Sequence, residues 1–171
     1  MLPFREIGFV LLAAIAVYAL LAIASYSPLD PSWGHAGTDL RVSNLVGISG
    51  AWVAEFVLLA FGWVSYLLVA GLVIVGGRLI VTRGLPWSWT VAGIRFLGFA
   101  ALVAATCLLL RLHAGSPPKL PAGAGGALGD SLFRLGMPAF KSVGLTLIAF
   151  AWLLVGTQLT LGFTWKNLVE K

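Results

Sequence analysis

Few of the chain's groups could do chemistry. Its 171 residues hold six Asp and Glu, two His and one Cys. Cys107 lies in an apolar run, AATCLLL, which suits neither a disulfide framework nor a multi-cysteine metal site. His35 and His113 stand far apart in sequence. There is no G-x-S-x-G elbow, no H-E-x-x-H pair, and no Cys-His pair in a plausible setting. Gly125-Gly126 is not followed by the Lys-Ser/Thr pair that a phosphate-binding loop needs for phosphates and metal, so nucleotide binding is not expected there. Glu55 is the acidic residue that falls near an apolar core. A carboxylate at membrane depth is by default a functional candidate, here for proton or ion coupling. Its place close to the start of an apolar stretch favours a structural role instead, as a partner for Arg41 or for a backbone group. Enzyme activity within these residues is not expected.

The elements that must position these groups are apolar and long. Hydrophobic residues make up 60% of the chain and charged residues 10%, with mean hydropathy +1.00. A soluble domain carries about 25% charged residues, so the expected solvent is lipid. The net charge of +5 is spread along the chain, which argues against a nucleic-acid surface. A helix needs roughly 20 apolar residues to cross the hydrocarbon core. Spans are predicted over 7–26, 51–80, 94–112 and 143–163, with no sustained period-two alternation. The fold class is therefore an all-α membrane protein with four transmembrane helices. Loops fall at 27–50 and 113–142 on one side and 81–93 on the other. Arg5 and Ala22-Ile23-Ala24 resemble parts of a signal peptide, but the apolar stretch exceeds the usual run of about 7–15 residues, so a retained helix is expected.

Charge sets the orientation only locally. With both ends inside, Arg5, Arg78, Arg83, Arg95, Lys166 and Lys171 face the cytoplasm, against Arg41, Arg111, Lys119, Arg134 and Lys141 outside. These totals barely differ. Arg5 close before the first span, and Arg78, Arg83 and Arg95 around the second loop, favour cytoplasmic termini. After the first span comes SYSPLDPSW, Ser25 to Trp33. Pro28 and Pro31 push the residues before them out of the helical region and end the helix. Tyr26 and Trp33 suit the headgroup level, and Asp30 and Asp39 put negative charge where the loop emerges. On the other side, Trp87 and Trp89, with Trp165 after the fourth span, form an expected aromatic belt.

The third loop begins AGSPPKLPAGAGGALG, 114–129, whose prolines and glycines argue against a regular helix. Next, in ALGDSLFRLGM, Leu128, Leu132 and Leu135 recur at helical spacing, with Asp130 and Arg134 placed i, i+4. A short interfacial helix stopped by Pro138 is predicted there; a polar-faced extension of the fourth span is the alternative. Arg95 and Arg111 bracket the third span and can snorkel from its ends. Ala100-x-x-x-Ala104 and Ala101-x-x-x-Ala105 would permit close helix approach.

Three blocks carry a resemblance. They are SYSPLDPSW; NLVGISGAWVAE, which includes Trp52 and Glu55, followed by FGWVSYLL; and GGALGDSLFRL followed by GLTLIAFAWLLVGTQLTLGFTW. Together they cover nearly the whole chain, which resembles the N-terminal four-helix membrane domain of the FtsK/SpoIIIE family of bacterial DNA translocases. Val69 stands where many relatives carry a proline, which leaves the kink of the second span open. The resemblance implies a piece of a longer protein of the inner membrane. Its motor, with a P-loop, ATP and Mg, and its DNA-reading domain lie outside these residues. The chain itself is expected to carry no catalytic residue, cofactor or metal. The implied partners are the lipid bilayer, further copies of the chain in a hexamer, and other division proteins, with DNA bound only through the motor. The implied role is anchoring, septum targeting and oligomerisation. A small four-helix transporter or channel, with Glu55 on its path, and a motor-free scaffold are the competing readings.

Overall fold

The computed structural model describes residues 4–32, 42–81 and 88–162. Those residues form helices and connecting turns, with no strand among them. The elements are α1 (Phe4–Ala24), α2 (Gly47–Phe61), a 3₁₀ turn (Gly62–Val64), α3 (Ser65–Val81), α4 (Trp89–His113) and α5 (Gly126–Leu161). Four apolar helical stretches are long enough to cross a membrane, Glu6–Ala24, Gly47–Arg78, Trp89–His113 and Gly126–Leu161. The chain is an all-helical four-span membrane domain. Trp33, Arg83, Trp87 and Trp165 lie outside the described residues, as do Arg41, Asp39 and His35.

The second span is not one helix over 51–80. It starts at Gly47, inside the expected loop, and breaks at the 3₁₀ turn, several residues before Val69. Gly62 has φ 59° and ψ −135°, a backbone conformation that L side chains rarely adopt. The two pieces also point differently. Gly76 of α3 packs on Leu12 and Phe9 of α1, so α3 runs antiparallel to α1 and Ser65 comes level with the last turns of α1. Ser65 Oγ reaches the Val57 carbonyl at 3.0 Å. Asn44 Nδ2 reaches the Ala22 carbonyl at 2.8 Å. Positions 44 and 57 thus stand at the same depth although most of α2 lies between them. α2 therefore lies across the end of α1, and the 3₁₀ turn plus α3 make the crossing. At about 2.0 and 1.5 Å per residue that crossing is about 31 Å, close to the hydrocarbon thickness of about 30 Å.

The last helix also turns. α5 begins at Gly126, earlier than the glycine-rich run suggested, and continues through Pro138 instead of stopping there. The break comes at Lys141, with φ 52° and ψ −178°. Limb 126–140 packs Leu128 against the cluster of Val64, Val103 and Cys107, and Leu132, Phe133 and Met137 against the cluster of Leu108, Leu145 and Ala149. Leu135, expected on the same apolar stripe, is 79% exposed. Limb 142–161 runs back along α4 and ends at Gly162 in the left-handed conformation. There Gly98 of α4 meets Leu159 and the Thr160 backbone, and Gly156 of α5 meets the Leu102 backbone. Side-chain-free residues let helix backbones approach closely. Glycines make this approach; of the expected small-residue pairs, Ala100 is exposed, Ala101 and Ala104 are half-buried and Ala105 is buried.

α1 packs on α3, α4 packs on α5, and the two pairs meet along a narrower seam. Apolar residues facing outward, such as Ile48, Phe56 and Phe96, are normal for a surface whose solvent is lipid.

Candidate functional site at the loop end

The polar groups gather at the end of the bundle where α1 stops and α2 starts. Asp30, expected to be a surface charge, is 1% exposed. Its carboxylate accepts the backbone N–H of Ser43 at 2.7 Å and of Asn44 at 2.9 Å. The Asp30 N–H bonds back to the Ser27 carbonyl at 3.3 Å, which closes the turn made by Ser27, Pro28, Leu29 and Asp30. Asn44 is 4% exposed. Its Nδ2 donates to the carbonyls of Ala22 at 2.8 Å and Ser25 at 3.4 Å, groups that the end of α1 leaves without an intrahelical donor. Its Oδ1 accepts the Val46 N–H at 3.0 Å, just before α2 begins. Ser25 Oγ donates to Leu21 O at 2.6 Å and accepts the Leu45 N–H at 3.0 Å. Tyr18 Oη donates to Ser49 Oγ at 3.0 Å. A Cβ on Gly50 would strike Asn44 Oδ1. These contacts fix the two ends of the first loop and the angle at which α2 crosses α1.

Glu55 lies on the buried face of α2 with Gly50, Ala51, Ala54 and Leu58. It is 9% exposed, and its Oε2 has no hydrogen-bond partner among the described residues. Its position at the loop end, on a helix lying across the bundle, is far from the middle of a crossing helix. Tyr26 is half-buried against Ala16, Ile23, Leu58 and Val69. Burial pushes its hydroxyl above the ordinary range, and the charges of Glu55 and then Asp30 push the same way. Pro28 is exposed, Pro31 half-buried, and Trp52 is 43% exposed on the outward face of α2.

The third loop locks into the break of the second span. Trp63 N–H donates to the Ala124 carbonyl at 3.0 Å. A Cβ on Gly62 would collide with that same carbonyl, one on Gly126 with the Ala60 backbone, and one on Gly125 with the Cys107 carbonyl. Ala124 is fully buried, and Leu120 packs against the α1 cluster. Beside this seam, Arg111 Nε meets Asp130 Oδ1 at 3.0 Å, and Arg134 Nε meets Asp130 Oδ2 at 2.7 Å. Arg111 also sits 4.6 Å over the Phe133 ring. It binds limb 126–140 instead of snorkelling away from the end of α4.

The other end of the bundle carries arginines. Arg78 Nη2 donates to the Leu161 carbonyl at 3.4 Å, and the Arg95 guanidinium lies beside Gly162. Cations near a helix C-terminus meet unpaired carbonyls and the negative end of the helix dipole. Trp89 opens α4 and is 81% exposed, with Ser88 Oγ accepting the Val91 N–H at 3.4 Å. The helix thus starts inside the expected 81–93 loop.

Sequence reasoning singled out Tyr26, Pro28, Asp30 and Glu55, which the fold brings to one region. It missed Asn44, Ser25 and Gly62. A Ser-Asn pair shortly before a glycine-bounded helix was the available signal for the turn.

A family model described as the 4TM region of DNA translocase FtsK/SpoIIIE matches residues 3–171. A DNA translocase FtsK of Pseudomonas aeruginosa is 31% identical over 97% of this chain and 21% of its own length. DNA translocase FtsK 2 of Ralstonia nicotianae is 35% identical over 97% of this chain and 22% of its own length. One from Vibrio vulnificus is 33% identical over 97% of this chain and 17% of its own length. The chain thus spans about a fifth of such relatives. No solved structure matches.

Proposed function

The chain belongs to the 4TM region of the DNA translocase FtsK/SpoIIIE family, and from that membership we propose that it anchors a DNA translocase in the bacterial inner membrane and directs it to the division septum. The observation that carries this reading is the coverage: 97% of the chain aligns with only 17–22% of each of these three relatives. A segment shared in this way is a module of a larger machine. The ATP-driven motor and the DNA contact belong to the remainder of such proteins, so this module's own task is positioning.

In this proposal both termini face the cytoplasm, and the clasp of Asp30, Asn44 and the Gly123–Gly126 loop faces outward. Arg78 and Arg95 then lie on the inner side, as the positive-inside rule favours. Self-association of this domain, up to a hexamer matching the motor, would hold the motor subunits together at the septum. Other division membrane proteins would meet the outward loops or the lipid-facing helix faces. Catalysis, ATP and Mg have no assigned place in this module.

The test is localisation and topology together. A fluorescent fusion of residues 1–171 should form a band at midcell, and uniform membrane fluorescence would refute the targeting role. Cysteines introduced at Ser32 or Ala122 should react with a membrane-impermeant maleimide in intact spheroplasts. Reaction only after permeabilisation would reverse the orientation.

A further inference from the structure

Where α5 ends at Gly162, two arginines from two other helices meet it. Gly162 takes the left-handed conformation, with its N–H on the Gln158 carbonyl at 2.8 Å. The carbonyls of the last turn then have no intrahelical donor. Arg78, from α3, supplies one: its Nη2 donates to Leu161 O at 3.4 Å. Arg95, from α4, lays its guanidinium where a Gly162 side chain would point. A Cβ there would stand 3.5 Å from Nη2 and 3.9 Å from Nε. Both arginines are half-buried, and both bring positive charge to the negative end of the helix dipole.

The two contacts reach different halves of the fold. Arg95 ties the end of α5 to its own partner, α4, just below the point where Gly98 meets Leu159 and Thr160. Arg78 belongs to the α1–α3 pair, so its bond joins the two pairs at this end. At the loop end the Trp63–Ala124 bond joins them, and between the two the Phe99 ring lies against Gly71. A helix terminus without such ties frays at almost no cost, one hydrogen bond at a time. Here the last turn cannot unwind without breaking the Arg78 bond and moving its carbonyls away from Arg95.

We propose that Arg78 and Arg95 form a load clamp, which passes a pull on the chain beyond Gly162 to α3 and α4 instead of letting it unwind α5. The inference rests on the reading of this module as the anchor of a DNA translocase, because a motor that pulls on DNA pulls back on its anchor with equal force. The clamp stands at the first residues to feel that pull. Behind it come the close contacts of Gly98 with Leu159 and Thr160, and of Gly156 with the Leu102 backbone. Load that the arginines take up at the end of α5 thus reaches two helix pairs instead of one.

The experiment is single-molecule force spectroscopy of the chain in a supported bilayer. The tip is bonded to Lys171 or, from the opposite face, to a thiol introduced by Lys119→Cys; Lys119 is exposed, and Cys107 is buried and does not compete. Under a constant pull at Lys171, Arg78→Met combined with Arg95→Met should raise the rate of the first detachment step about tenfold, the equivalent of one charged hydrogen bond. Arg95→Met alone should raise it about threefold, as for one charge at a helix end. Arg95→Lys, which keeps the charge, should stay within about twofold of the unaltered chain. Under the pull at position 119 the same Met variants should also stay within about twofold, the scatter of ordinary surface changes. A change under the Lys171 pull that is no larger than about twofold in the double variant would overturn the clamp. So would equal changes under both pulls, which are an ordinary loss of stability. Should the double variant fail to insert, Arg95→Met alone decides, and the absence of any change or equal changes under both pulls overturn the clamp there too. The measurement involves no septum, so a diffuse fusion would refute targeting while the force result still decides the clamp.

Discussion

Replacing Asp30 should loosen the whole loop end without touching a crossing helix. Its carboxylate is 1% exposed and accepts two backbone N–H groups at 2.7 and 2.9 Å. Hydrogen bonds to a charged group contribute about 1.5–3 kcal/mol each, so Asp30→Ala should cost about 3–6 kcal/mol. Asp30→Asn keeps one acceptor oxygen but turns an amide NH₂ toward the other N–H. It loses the charge on both bonds, and we expect about 2–4 kcal/mol. Asn44→Ala removes the donor to Ala22 and Ser25. Because Asp30 binds the Asn44 N–H directly, the two substitutions should couple by 0.5 kcal/mol or more in a double-mutant cycle, at the lower end of the ~0.5–3 kcal/mol seen for contacting pairs. The assay is reversible unfolding in mixed micelles with increasing dodecyl sulfate, followed by far-UV circular dichroism and by the fluorescence of Trp52 and Trp63 near the clasp. Asp30→Ala and Asp30→Asn both within about 0.5 kcal/mol of the unaltered chain, the scatter of ordinary surface changes, would refute the clasp. Membrane insertion should be unchanged, since the apolar run of α1 is intact.

Four further outcomes are expected. Gly62→Ala places a methyl against the Ala124 carbonyl at a positive-φ position, so it should lower stability by about 2 kcal/mol or more in the same unfolding assay. Glu55→Met removes a buried carboxylate oxygen without a partner among the described residues; stability should rise by about 1–3 kcal/mol, with septal targeting of the fusion retained. Lys141→Gly relieves the strained break in α5 and should raise stability by up to about 1–3 kcal/mol in that assay. Asp130→Asn takes the charge from the pairs with Arg111 and Arg134, at 3.0 and 2.7 Å; stability should fall by about 0.5–1 kcal/mol in the same unfolding assay.

Much of this molecule follows from one-dimensional physics. Hydrocarbon demands long apolar helices whose backbone groups are all satisfied internally. The number of crossings, their approximate places, the all-helical class and the stop after α1 were therefore readable from hydropathy and from Pro28 and Pro31. The Asp130–Arg134 pair was readable too, because i, i+4 spacing on one helix brings the two side chains together.

What remained belongs to relations between segments distant in sequence. Asp30 looks like any loop carboxylate until Ser43 and Asn44 bring their N–H groups to it, and only then is burial cheaper than exposure. The run from Gly47 to Arg78 has one continuous hydropathy signal, yet α2 turns across the bundle because Gly62 yields space to Ala124 from a loop about sixty residues later. Pro138 reads as a stop in sequence, but the helix continues past it and breaks at Lys141. Hydropathy measures how much a segment prefers lipid; it carries no information on the direction in which the segment lies. Direction is set by which backbones can touch, and the glycines at 62, 98, 125, 126 and 156 permit those contacts only once the fold has paired them.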